Sequence, residues 1–139
     1  MQIVIFSVGA VPYALEALAV QEILRKPSAL AIPEAPAHMV GVIDFRGSNI
    51  PLVNLRKLLG QGDGEECEQA VVLTEGGMSA AFQVDAVEDV LNIPNHALDT
   101  ASATLAGSAT ITKAVVRIKE RMLVLLDPAR LLAKAMSNT

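Results

Sequence analysis

The chain has 139 residues, of which 52% are hydrophobic, 19% charged and only 3% aromatic, and it carries a net charge of −4 at pH 7. That size and apolar content suit one compact domain with a real core and exclude a disordered chain. The acidic balance and the scarcity of rings exclude a nucleic-acid binder, which needs a basic footprint and, for single strands, stacking surfaces.

The N-terminal stretch MQIVIFSVGAV lacks the basic start and cleavage site of a signal peptide. No apolar run approaches the roughly 18 residues that a membrane span needs, so the expectation is a cytoplasmic protein without direct membrane insertion. QIVIFSV reads as a first strand, followed by a turn at Gly9 and Ala10. The next segment, ALEALAVQEIL (14–24), is built of strong helix formers, and propensity alone makes it a helix. Shifted by 67 residues, however, it overlays AFQVDAVEDVL (81–91), which alternates at period two with Phe82, Val84 and Ala86 on one side; both are therefore read as strands. A loop marked by Pro27, Pro33 and Pro36 follows.

VGVIDFRGSNIPLVNLRKLLG (40–60) reads as a hairpin turning at Gly47, Ser48 and Asn49 and running into a short helix. Asn54 stands as N-cap and Gly60 as terminator. Pro51 marks its strand as an edge or a bulged one. LGQGDGEECEQ, rich in glycine and acid, reads as a linker, and the second half begins near Ala70. Cys67, the sole cysteine, lies in that polar run and reads as a bystander; a lone cysteine excludes an internal disulfide and any multi-cysteine metal site. Gly76 and Gly77 suit a hairpin turn after VVLTE. The chain then repeats itself. Shifted by 73 residues, Gly41–Leu59 overlays Ala114–Leu132 with coincident apolar positions, and Asn54 falls on Asp127, the cap of a second helix whose first position is Pro128. The two offsets together indicate a two-fold duplication. Closely spaced turns between short apolar runs favour small barrels.

Catalytic chemistry finds no support in the residues. His38 and His96 are the only histidines, neither stands near a second metal ligand in sequence, and both read as surface residues. Gly60–Gly64 lacks the Lys-Ser/Thr ending of a phosphate loop. Asp85 and Asp127 occupy non-equivalent places in the two halves and form no symmetric carboxylate dyad. No catalytic residue, metal site or cofactor is expected.

VQEIL (20–24), IPEAP (32–36), VGVIDFRGSNIPLVNLRKLLG (40–60) and LVLLDPARLL (123–132) together resemble the CheW family of chemotaxis coupling proteins over nearly the whole chain. The resemblance implies a mainly β fold with two SH3-like five-stranded barrel lobes, short helices and a shared apolar core. The expected division of this single domain (1–139) places lobe 1 at roughly 12–60 and lobe 2 at roughly 70–132, leaving residues 1–11 and the C-terminus open to exchange between lobes. It further implies a non-catalytic adaptor between the cytoplasmic tip of chemoreceptors and the regulatory domain of a CheA-type histidine kinase, recruited to membrane-associated receptor arrays. Receptor contacts would fall on Val20, Glu22, Gly41 and Arg46, and kinase contacts on Leu30 and Ile32.

Two departures stand out. Asp44 replaces the family's usual Asn before Leu-Arg-Gly, and Asn54 replaces its usual Asp. The residues alone leave other readings open: Arg46 as a solvated charge beside a turn, Val20 as core, and Gly41 as strand packing. The same fold would also serve a pilus-motility or surface-sensing kinase pathway. A small-molecule-binding or hydrolytic barrel is the remote alternative.

Overall fold

The computed structural model describes residues 1–61, 67–99 and 111–137. β1 (Gln2–Val8) turns through Gly9 and Ala10 into β2 (Val11–Glu16), and a single 3-10 turn over Ala17–Ala19 redirects the chain into β3 (Val20–Arg25). β4 (Met39–Phe45), β5 (Ser48–Asn54) and the one-turn helix α1 (Leu55–Leu58) complete the first half. The second half comprises β6 (Gln69–Glu75), β7 (Met78–Val84), β8 (Ala86–Asn92), a short β9 (Leu98–Asp99), β10 (Thr112–Ile118), β11 (Arg121–Leu126) and α2 (Pro128–Ala135).

The strands form two sheets of matching order, β8-β1-β2-β11-β10-β9 and β3-β6-β7-β5-β4. The duplication is visible in the register. Ile43 faces Ile50 across the β4–β5 hairpin as Val116 faces Leu123 across β10–β11, and both hairpins slip register at the same point, after Met39 and after Thr112. The parallel contacts match too: Leu52 lies beside Ala81, and Leu125 beside Ala14. Even the helix entries agree, since Asn54 N–H donates to the His38 carbonyl and Asp127 N–H to that of Ile111, each at 2.7 Å.

The sheets do not follow the expected division between residues 60 and 70. The first half's β1–β2 hairpin pairs with β8 and β11, whereas the second half's β6–β7 hairpin pairs with β3 and β5. Of the described residues, one lobe therefore contains 2–16, 86–99 and 111–126, and the other 20–61 and 67–84. The exchange takes in residues 12–16 as well as 1–11, and at the C-terminus α2 packs across onto β6 and β7 of the other lobe. Sequence offsets reveal which segments are equivalent, but equivalence alone does not say which half each hairpin pairs with.

Burial follows from this exchange. Phe6, Leu15, Val53, Leu73, Phe82 and Leu126 come from both sheets and form a shared core, to which α1 adds Leu55 and Leu58 and α2 adds Leu131, Leu132 and Ala135. Each lobe also has its own interior, Ile3, Ile5, Ala14, Val116, Leu123 and Leu125 in one and Ala70, Val72, Ala81, Ile43, Ile50 and Leu52 in the other. These two sets are equivalent residue for residue under the duplication. β1 serves two cores, so residues 3–6 are buried on both faces and read as a continuous apolar run.

Three local expectations are corrected. Segment 14–24 is neither a helix nor one strand: its helix formers supply the end of β2, the 3-10 turn and β3, because Leu15 and Ala19 must enter the shared core. Pro51 is not on an edge strand, since β5 lies between β4 and β7. Its missing N–H is harmless because Val42 opposite turns both backbone groups towards Leu30 and the β5–β7 ladder begins only at Leu52. His38 is buried rather than on the surface, and its Nε2–H donates to the Ala135 carbonyl at 2.8 Å, satisfying an acceptor at the end of α2. The linker's central residues 62–66 lie outside the described residues.

Asn54 Oδ1 accepts from Lys57 N–H and Asp127 Oδ1 from Arg130 N–H, both at 3.1 Å, as the cap reading requires. Asp127→Ala is expected to cost about 0.5–2 kcal/mol through loss of this cap. A denaturant midpoint unchanged from the parent's would show that the cap contributes nothing.

Candidate protein-docking surface

The turn of the β4–β5 hairpin consists of Arg46 and Gly47, both at positive φ (52° and 84°), and Ser48 and Asn49 already belong to β5. Such a primed turn suits the strand twist but places a non-glycine residue in the left-handed region. Asp44 braces the turn by accepting the Gly47 N–H at 3.1 Å, a bond that the side-chain oxygen of an Asn at that position could equally accept. Arg46 folds over the Phe45 ring, 4.9 Å from its centroid, and donates from Nη2 to Glu22 Oε1 at 2.7 Å. It does not pair with Asp44.

This contact says something about the sheet. Glu22 lies on β3, at one edge, and Arg46 on the hairpin at the other edge, so the sheet must curl until its two edges meet. In the second sheet Arg121, at the turn end of the interior strand β11, reaches Glu88 on the edge strand β8 at 2.9 Å, which also requires the sheet to curl. Both observations fit the expected SH3-like lobes. The Glu22 and Arg46 side chains remain 41% and 62% exposed. An exposed pair of this kind contributes only about 0–1 kcal/mol to stability. Val20, on the same strand, is half-buried and packs against the shared core, with a register slip separating it from Glu22.

Gly41 stands elsewhere. A Cβ on it would lie 2.4 Å from the Leu30 carbonyl oxygen and 2.8 Å from its carbon, so glycine is required by the loop that crosses β4. Leu30 and Val42 hold that loop by reciprocal backbone hydrogen bonds of 2.8 and 2.9 Å. Leu30 (72% exposed) and Ile32 (42%) project beside Val42, Asp44 and Asn49 and line an open groove. The six candidate residues thus form two groups: Val20, Glu22 and Arg46 at the seam between β3 and the hairpin, and Leu30 and Ile32 at the groove with Gly41 beneath the loop that carries them.

Sequence reasoning missed a polar joint between the lobes. Asp85, at the bend between β7 and β8, accepts from Arg56 Nη2 at 2.6 Å and from Gly9 N–H at 2.7 Å, and its own N–H donates to the Ser7 carbonyl at 2.9 Å. Beside it Gln61 donates to the Tyr13 hydroxyl at 2.9 Å. Burial, reinforced by the Asp85 carboxylate, pushes the Cys67 thiol up despite the opposing Arg56, which disfavours the reactive thiolate. The alternation of AFQVDAV runs through Asp85 and hid both the bend, which splits the segment read as one strand into β7 and β8, and the joint, whose Gly9 turn lies 76 residues from Asp85.

A family model described as a CheW-like domain matches residues 2–136. The chain is 31% identical over 142 residues to the chemotaxis protein CheW of Klebsiella aerogenes, covering 95% of this chain and 81% of that protein. It is 28% identical over 129 residues to that of Rhizobium meliloti, covering 91% and 83%. In structure it is similar to the crystal structure of the scaffolding protein TtCheW from Thermoanaerobacter tengcongensis, with a TM-score of 0.84 at 25% identity, covering 91% of this chain and 88% of that one.

Gly41→Ala is expected to force the loop at Ala29 and Leu30 away from β4 and to destabilise the protein by about 1–3 kcal/mol, as overpacking does elsewhere. Thermal melting with amide spectra of the loop checks this, and an unchanged loop with unchanged stability would mean that the close approach does not require glycine.

Proposed function

The chain belongs to the CheW family and is a non-catalytic chemotaxis scaffold, and from that premise we propose that it joins the cytoplasmic tip of a chemoreceptor to the regulatory domain of a CheA-type histidine kinase. The observation that carries the receptor half of this reading is the Glu22–Arg46 pair, exposed, short and held on two converging strand elements. A guanidinium so placed can keep Glu22 or exchange it for a carboxylate on a receptor helix, using the same planar fork, while its stem stays on Phe45. Val20 supplies apolar surface at the base of that face. Gly41 acts indirectly in this account, by letting the loop seat against β4.

The kinase half rests on Leu30 and Ile32. Large apolar side chains held exposed beside a groove suit a contact that buries them in another protein. No helix among the described residues is long and apolar enough to cross a membrane. In this reading the protein works in the cytoplasm and reaches receptor arrays at the membrane by binding, not by insertion.

Arg46→Ala is expected to fold normally, because alanine and arginine bear the left-handed turn alike and the lost pair is worth at most about 1 kcal/mol. Binding to a receptor-tip fragment should fall, and binding to the isolated kinase regulatory domain should persist. Arg46→Lys separates charge from the planar fork. Undiminished receptor-tip binding by a folded Arg46→Ala protein would remove Arg46 from the site.

A further inference from the structure

The β4–β5 hairpin carries two opposite charges and delivers them to different faces. Asp44 and Arg46 are two residues apart, yet they do not meet: Arg46, in the left-handed turn, reaches across to Glu22 on β3, while Asp44 lines the groove beside Leu30, Ile32 and Val42. Among the described residues Asp44 has no ion-pair partner, and of those that line the groove it alone is charged.

The brace on the turn does not account for that charge. Accepting the Gly47 N–H takes one oxygen, which a neutral amide offers as well, and the equivalent hairpin position in the second half is Arg117, so the fold does not demand an acid there. The rest of the carboxylate's acceptor capacity is left beside exposed apolar side chains. In that setting it acts as a filter. A partner that covers the carboxylate without pairing it strips its water and gives nothing back, whereas a partner that brings a cation recovers the loss.

We propose that Asp44 is the residue by which this scaffold selects its kinase: the regulatory domain that docks on Leu30 and Ile32 sets a Lys or Arg side chain against the Asp44 carboxylate, and a domain with an acid at that place is rejected. This rests on the reading of the groove as the kinase face. The hairpin then sorts recognition by sign, with Arg46 offering a cation at the seam and Asp44 an anion at the groove.

The test measures affinity and on-rate of the isolated kinase regulatory domain for the full chain over a series of salt concentrations. Asp44→Asn keeps an oxygen for the Gly47 N–H, and the Gly47 amide shift with thermal melting shows that the turn is intact. This variant should lose at least about threefold in affinity, chiefly through a slower on-rate, and should depend less on salt than the parent, and Asp44→Lys should lose more. Binding of a receptor-tip fragment to Asp44→Asn should be unchanged. Leu30→Ala should weaken kinase binding without altering its salt dependence. If Leu30→Ala binds the kinase as the parent does, the groove is not the kinase face and the assignment of Asp44 falls with that reading. If Leu30→Ala weakens binding while Asp44→Asn keeps the parent's affinity and salt dependence, the kinase face stands and the role of Asp44 is overturned. Equal losses of kinase and receptor-tip binding in Asp44→Asn would overturn it too, since Asp44 would then serve the turn alone.

Discussion

The exchange of hairpins between the two halves is the constraint on which the rest of the structure depends. β3 and β5 would each lack a neighbour if β6 and β7 stayed with their own half, and the same holds for β8 and β11 without β1 and β2. Because each hairpin is wanted on both faces, one for its lobe's interior and one for the shared core, neither half can bury its apolar surface alone. The Asp85 joint adds directional bonds at the crossing point, tying the Gly9 turn of one lobe to α1 of the other. His38 does the same at the far end by holding the end of α2.

The proposed docking face inherits its order from that exchange. Glu22 lies on a strand held by β6, and Arg46 on a hairpin held by β7, so two segments of the first half are aligned by a hairpin of the second. The pair they form is weak, as an exposed ion pair is, and its geometry comes from the strands beneath it rather than from its own energy. A scaffold benefits from this division of labour. Rigid strands fix where the charges stand, and the charges remain free to change partner. Gly41 and the Leu30 loop show a similar arrangement, with exposed apolar groups held by backbone bonds to β4.

The repeat was legible in sequence down to single residues because caps, turns and apolar positions are local features that survive duplication; Asn54 and Asp127 are the clearest case. The lobes' composition was not legible. An offset relates Leu15 to Phe82 without saying that both enter one shared core. Segment 14–24 misled through its helix formers, since packing of Leu15 and Ala19 outweighs propensity. Arg46 was recognised as a residue beside the turn, but its left-handed backbone and its pairing with Glu22 depend on curling of the sheet, which no spacing reveals. Asp85 and His38 escaped for a common reason: their partners, Gly9 and Ala135, lie 76 and 97 residues away.

If the exchanged hairpins make the two lobes one unit, they must lose structure together. Native-state hydrogen exchange measures this directly, following amides of β1 and β2 in one sheet and of β6 and β7 in the other through increasing denaturant. The account predicts that the slowest amides of both sheets report the same opening free energy and the same dependence on denaturant, equal to those of global unfolding. Slowest amides in one sheet that exchange through a separate, lower-energy opening, while the other sheet stays protected, would contradict it.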